Sequence, residues 1–253
     1  MKSWLRLAAI AYGMSLAFYS CAQVNQESTT APVSHELFTA MLQKHVNEDG
    51  MVNYADLQKD SANLNIYLQL LSANPPTIHW SKNEQLAFWI NAYNAFTLQL
   101  IIRHYPIESI KDITSISIPF VHSPWDISFI NIGDKEYDLN NIEHGIIREE
   151  FEEPRIHFAL VCAAKSCPKL RNEAYEANKL DRQLQEQAVT FINGPKNQIS
   201  PSKLGLSKIF LWYRGDFTSG QSLQQYLGQF SKIQVDEDAK INYLVYNWKL
   251  NNH

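Results

Sequence analysis

The stretch SKNEQLAFWINAYNAFTLQLIIRH, residues 81–104, decides how this chain folds. Ser81 followed three residues later by Glu84 is a capping box, in which hydroxyl and carboxylate each take a backbone N–H that the first helical turn leaves free. From there the pattern predicts a helix running to about His104, before Pro106. Its apolar residues, among them Leu86, Phe88, Trp89, Ile90, Tyr93 and Phe96, fall on nearly every side. Such a helix must be central to its domain. Asn91 and Asn94 interrupt it at i and i+3 on one face, and buried amides must be hydrogen-bonded.

Working outward on the N-terminal side, Glu36–His45 and Ala62–Leu71 read as short amphipathic helices. The first is stopped by Asp49-Gly50 and the second by Asn74-Pro75-Pro76. Val52–Leu57 between them reads as a brief extended piece. On the C-terminal side, Asp126–Leu139 reads as a hairpin turning at Gly133-Asp134. Asn140 with Glu143 opens a helix through Arg148 that places His144 and Arg148 on one face, with Glu143 pointing elsewhere. The apolar run from Ile156 to Cys162 reads as a buried strand. Leu180–Ile192 reads as a helix, Ile199–Leu206 as a strand, Ser222–Phe230 as a short helix and Lys240–Lys249 as a terminal strand. Helices first and strands later make the fold α+β: a helical N-terminal half around a central buried helix, then antiparallel strands.

Residues 1–20 carry Lys2 and Arg6 ahead of an apolar run from Leu7 to Phe18, the layout of a secretory signal. The Ser20-Cys21 junction resembles a bacterial lipoprotein signal, with Cys21 the lipidated first residue; the alternative is an ordinary signal cleaved near Ala22. Residues 21–34 form a polar tether and 35–251 a single α+β domain. The expected location is the cell envelope, anchored to a membrane by lipid and facing the periplasm or the cell surface. Loss of Lys2 and Arg6 deepens the formal charge from −4 to −6, which argues against a nucleic-acid partner.

The chemistry concentrates in RIHFALVCAAKSCPKLR, residues 155–171. A nucleophilic thiol needs a nearby cation, histidine or helix N-terminus. Cys167 has Lys165, Lys169 and Arg171 close in sequence, whereas Cys162 sits in the apolar run as a core residue. In an oxidising compartment the two can instead pair with each other. His144 and His157 are the candidate bases, and Ser166 and Arg171 complete the polar end of the stretch. The cluster of Phe210, Trp212, Tyr213 and Phe217 reads as core or as a pocket wall, with Arg214 and Asp216 as a local pair. No cofactor signature and no metal-ligand spacing occurs.

LAFWINAYNAF (86–96), DLNNIEHGIIR (138–148), the 155–171 stretch, IFLWYRGDF (209–217) and INYLVYNWKLN (241–251) together resemble the domain of unknown function 547 family. The resemblance spans residues 35–251 and implies no assigned activity. Its motif positions here are Asn91, Asn94, Glu143, His144, His157, Ser166, Cys167, Pro168, Arg171 and Asp216. In addition, NAYNAFTLQLIIRHYPI (91–107) is similar to the nucleophile helix of transglutaminase-like proteins of the papain-like fold, with Asn91 at the cysteine position and Arg103 at the basic one. That resemblance implies His157 as the catalytic histidine and a site that either binds without catalysis or uses Cys167.

Two functions fit these residues. One is a cysteine-dependent hydrolase or acyl transferase acting on a small-molecule or peptide-like ligand. In it Cys167 is nucleophile, His144 or His157 base, Asn91 and Asn94 pocket amides and Arg171 a substrate-side cation, with Glu143, Ser166 and Asp216 also at the binding site. The other is a non-catalytic ligand- or protein-binding module built from the same residues.

Overall fold

The computed structural model describes residues 31–113 and 123–253; the expected signal, the expected lipidation site Cys21 and most of the expected tether lie outside them. Four helices open the fold: α1 (Glu36–His45), α2 (Tyr54–Lys59), α3 (Ala62–Ala73) and α4 (Lys82–His104). The Ser81–Glu84 capping box closes the start of α4 in both directions. Sixteen residues of α4, from Leu86 to Ile102, are buried, including both asparagines. It packs against α2, α3 and the helical segment that follows the hairpin. Among the described residues no helix is long and apolar enough to cross a membrane.

Residues 52–57 differ from expectation. Val52 makes only single bridges, to Val46 and Asn252, and the chain then turns into α2, where Asn53 accepts the Asp56 N–H as a cap. Four residues after an N-cap are too few for a pattern to separate from an extended piece.

The hairpin forms as expected from β1 (Ile130–Ile132) and β2 (Lys135–Tyr137), with Gly133 in a positive-φ turn. The next segment is wound more widely than an α-helix. Asn141–Ile147 is a π-helix, continued by the short α5 (Arg148–Glu150). Asp138, not Asn140, caps it: the Asp138 carboxylate accepts the Asn141 N–H at 2.6 Å. The π winding changes the angle at which each side chain leaves the axis, and such turns are frequent at functional sites. Here Glu143 is buried and His144 exposed.

The expected strand Ile156–Cys162 does not exist. Pro154–Phe158 is a 3₁₀-helix, and the chain beyond it is buried but irregular. Its backbone finds partners in side-chain amides rather than in a sheet. Asn94 Nδ2 donates to the Ala159 carbonyl and its Oδ1 accepts the Val161 N–H, at 3.0 and 2.9 Å. Gln187, on α6 (Leu180–Ile192), donates to the Phe158 and Lys169 carbonyls. Asn91 does the same for both backbone groups of Tyr175.

The C-terminal third holds β3 (Gln198–Ile199), β4 (Lys203–Leu206), three short helices α7 (Ile209–Trp212), α8 (Arg214–Phe217) and α9 (Leu223–Gly228), and β5 (Lys240–Tyr243). The sheet is mixed: β3 and β4 are antiparallel, β4 and β5 parallel. The expected strand to Lys249 ends at Tyr243, and residues beyond it run back across the molecule. There Leu250 bridges Ala164, Asn252 bridges Val52, and Asn251 takes the Tyr54 hydroxyl hydrogen while donating to the Gly50 carbonyl. One apolar core extends from Val33 to Leu250.

Candidate functional site

A cavity of about 200 Å³ opens where the π-helix, the irregular stretch after Phe158, α7 and the terminal run meet. Into it come Glu143, His144, His157, Cys162 and Cys167 from the sequence motifs. Each is positioned by a local structural reason. Phe158, next to His157, is locked among Phe191, Phe210 and Phe217, which fixes the 3₁₀ turn. The imidazole of His157 then stacks on Tyr213 with ring centroids 3.8 Å apart.

His157 Nε2 lies 2.7 Å from Asp216 Oδ2. Asp216 is itself held by a two-pronged ion pair with Arg148, Nε to Oδ2 and Nη2 to Oδ1, both at 2.7 Å. The Arg148 and His157 hydrogen bonds pull the Asp216 carboxyl far below its usual range. As a fixed carboxylate it only accepts, so His157 donates from Nε2 and Nδ1 keeps its lone pair. Burial pushes the His157 imidazole down, against the opposing pull of Asp216, so it stands neutral near pH 7. A neutral imidazole oriented by a carboxylate is the form a general base takes. The expected Arg214–Asp216 pair is absent: Asp216 goes to Arg148, and Arg214 reaches Tyr243 instead.

His144 is the less available of the two histidines. Arg148 Nη1 donates to its Nδ1 at 3.1 Å, so the arginine that clamps Asp216 also occupies His144. Glu143, expected to point away, faces the cavity at 5% exposure, against the hydroxyls of Tyr93 and Tyr213. Burial, then the Glu143 charge, pushes both phenols well above their usual range, so they stay protonated donors.

The two sulfurs are joined: Cys162 and Cys167 form a disulfide. In that state Cys167 has no thiolate to offer. The exposures are also the reverse of expectation, with Cys167 1% exposed and Cys162 partly exposed. Cys167 Sγ accepts the Cys162 N–H at 3.1 Å and the Tyr246 hydroxyl at 3.2 Å. Behind it the Lys196 ammonium donates to the Cys167 carbonyl, and burial pushes that lysine down to about 8. The positive neighbour of Cys167 therefore comes from a distant loop, not from Lys165, Lys169 or Arg171.

Several expected site residues are elsewhere. Asn91 and Asn94 are not pocket amides, because their polar atoms are spent on buried backbone. Arg171 is not a free cation facing a ligand; it is engaged by Glu173 and Glu186. Ser166 accepts the Asn247 N–H at 2.8 Å and so anchors the terminal run. The aromatic cluster divides: Phe210 and Phe217 are core, while Trp212 and Tyr213 line the cavity. Tyr93, Tyr246 and Lys196 carry no sequence signal beyond ordinary apolar or surface patterning.

Among the described residues, no three His, Cys, Asp or Glu side chains converge to hold a metal ion. No curated protein and no solved structure matches the chain. Residues 77–192, which carry α4, the π-helix and the disulfide loop, match the model of the family described as "Protein of unknown function, DUF547".

Proposed function

We propose that this cavity is the active centre of a thiol-dependent hydrolase or acyl transferase of the cell envelope, held inactive while Cys162 and Cys167 are joined. The observation that carries the reading is the Arg148–Asp216–His157 chain ending at the cavity that both cysteines line. A dithiol reductant supplies two electrons and two protons, and the disulfide becomes two thiols. It reaches the more exposed Cys162 sulfur first. Cys167 then has the surroundings that favour a thiolate, two hydrogen-bond donors on sulfur and a nearby ammonium. The Cys167 thiol gives its proton to His157 Nδ1 and attacks a carbonyl carbon. His157 returns the proton to the leaving group, and water or an acceptor nucleophile resolves the thioester. Asp216 stabilises the transient imidazolium. Export and lipid anchoring through Cys21 belong to the same reading, and a disulfide suits an oxidising compartment.

The test is the alkylation rate of Cys167 by iodoacetamide at pH 7 in a Cys162→Ser variant. The rate should exceed that of a simple alkyl thiol and fall at least tenfold in the added His157→Gln variant. A rate equal to the simple thiol in the folded protein sinks the enzyme reading. Anchoring is tested by Cys21→Ala, which should move the protein from the membrane to the soluble fraction.

A second reading has its own support, since both sulfurs are consumed by the disulfide and Cys167 is 1% exposed. The cavity is then a non-catalytic binding site whose ligand affinity is the same before and after reduction.

A further inference from the structure

The walls of the cavity point to the kind of ligand it takes. Six aromatic rings line it: Trp125, Trp212, Tyr246 and Trp248, with Tyr93 and Tyr213. The first four of these rings form one continuous patch: Tyr246 lies 4.8 Å from Trp212 and 4.6 Å from Trp248, and Trp125 meets Trp248 edge-on at 5.8 Å. Trp212 is 44% exposed, an unusual position for a tryptophan without a binding role. Among the described residues that line this aromatic enclosure, one carries a carboxyl group, Glu143, at 5% exposure. Its near neighbours are the Tyr93 and Tyr213 hydroxyls; Arg148 and His157 feel its charge, but among the described residues it makes no ion pair, and Arg148 is paired with Asp216. A buried carboxylate without a direct ion-pair partner is costly unless something cationic completes it. Aromatic faces attract cations within about 6 Å, most strongly where water is excluded. The rim already shows this preference: the Lys111 ammonium rests over Trp248 at 3.8 Å.

We propose that the cavity binds a small organic ammonium group, seated on the aromatic wall with its charge toward Glu143. The proposal rests on the cavity being the ligand site, and it assigns the chemical class of that ligand. A methylated ammonium uses the ring faces alone; a primary amine adds hydrogen bonds to the carboxylate.

Calorimetric titration of the oxidised full chain tests it, with choline, tetramethylammonium and ethanolamine as probes and 3,3-dimethylbutan-1-ol as the neutral isostere of choline. The expected result is binding of at least one ammonium probe, at least tenfold tighter than the isostere. Glu143→Gln should lose at least tenfold. Trp212→Ala, at an exposed ring whose loss leaves the core intact, should also weaken binding severalfold. Choline binding tighter than ethanolamine identifies a methylated ligand, and the reverse order a primary amine; either supports the proposal. Equal affinity for choline and its isostere overturns it, as does absence of binding by every ammonium probe. The oxidised protein has no thiolate, so this outcome is independent of the alkylation result for Cys167.

Discussion

At the scale of single residues, the two α4 asparagines show how far side-chain chemistry can be from catalysis and still govern a site. Asn94 satisfies one donor and one acceptor of a buried, sheetless backbone segment, and that segment carries His157 at one end and Cys162 at the other. Replacing Asn94 by Ala leaves the Ala159 carbonyl and the Val161 N–H without partners, at a cost of roughly 2–4 kcal/mol. Urea denaturation should show that loss, and Asn94→Asp should recover only part of it, because a carboxylate cannot donate to the Ala159 carbonyl. The residue types needed here were legible in the sequence, since a buried amide demands partners. Which partners was not legible, because Tyr175 and Ala159 lie 84 and 65 residues away. The same distance hid the Arg148–Asp216 pair, 68 residues apart, behind the nearer Arg214.

At the scale of elements, helices with local signals were readable. The α4 cap, the α1 span and the α6 span follow from side-chain chemistry within three or four residues. The stretch 156–162 was not, because a continuous apolar run looks the same whether its backbone is paired in a ladder or satisfied by amides. The π-helix was hidden for a related reason: the same residues suit an α-helix, and nothing local distinguishes the wider turn, which packs against α4. Gly50 after α1 belongs to the same scale. Its φ is +75°, and a Cβ there would meet the backbone N and O of Leu170 at 2.8 and 2.9 Å. Gly50→Ala therefore adds a left-handed strain of about 1–2 kcal/mol to a clash with backbone that cannot swing away. Thermal unfolding should show a loss of roughly 2 kcal/mol or more. A neutral effect would mean that the loop at residue 170 yields freely.

At the scale of the whole molecule, stability is tied to pH by histidines that fold in without charge. His35 pairs with the Tyr67 hydroxyl at 2.6 Å, and burial pushes its imidazole down to about 4. In the unfolded chain it titrates near about 6.5. Between those values the unfolded state binds the proton and the folded state does not. The His35 contribution is therefore complete above about pH 6.5 and is lost as pH falls toward 4, to a total of roughly 3 kcal/mol. His157 is shifted in the same direction. Urea midpoints should fall between pH 7.5 and pH 4.5, and His35→Gln should make the fall shallower by about the His35 share. The α+β class itself was legible because burial periodicity is a property of the whole pattern, not of any one contact.

The run from Asn247 to Asn252, which lies against both Ser166 and Val52, also bears on time. Its partners at Gly50 and Tyr54 are 201 and 197 residues away. Closing such a loop costs little more free energy than closing a short one, since the cost grows only with the logarithm of length. Contacts of that span nevertheless raise contact order, and high contact order slows folding. A chain that has already buried α4 thus still waits for the backbone that braces Ala164, Lys165 and Ser166. The expectation is that the loop bearing the two cysteines becomes native late, which pulsed hydrogen exchange during refolding would check.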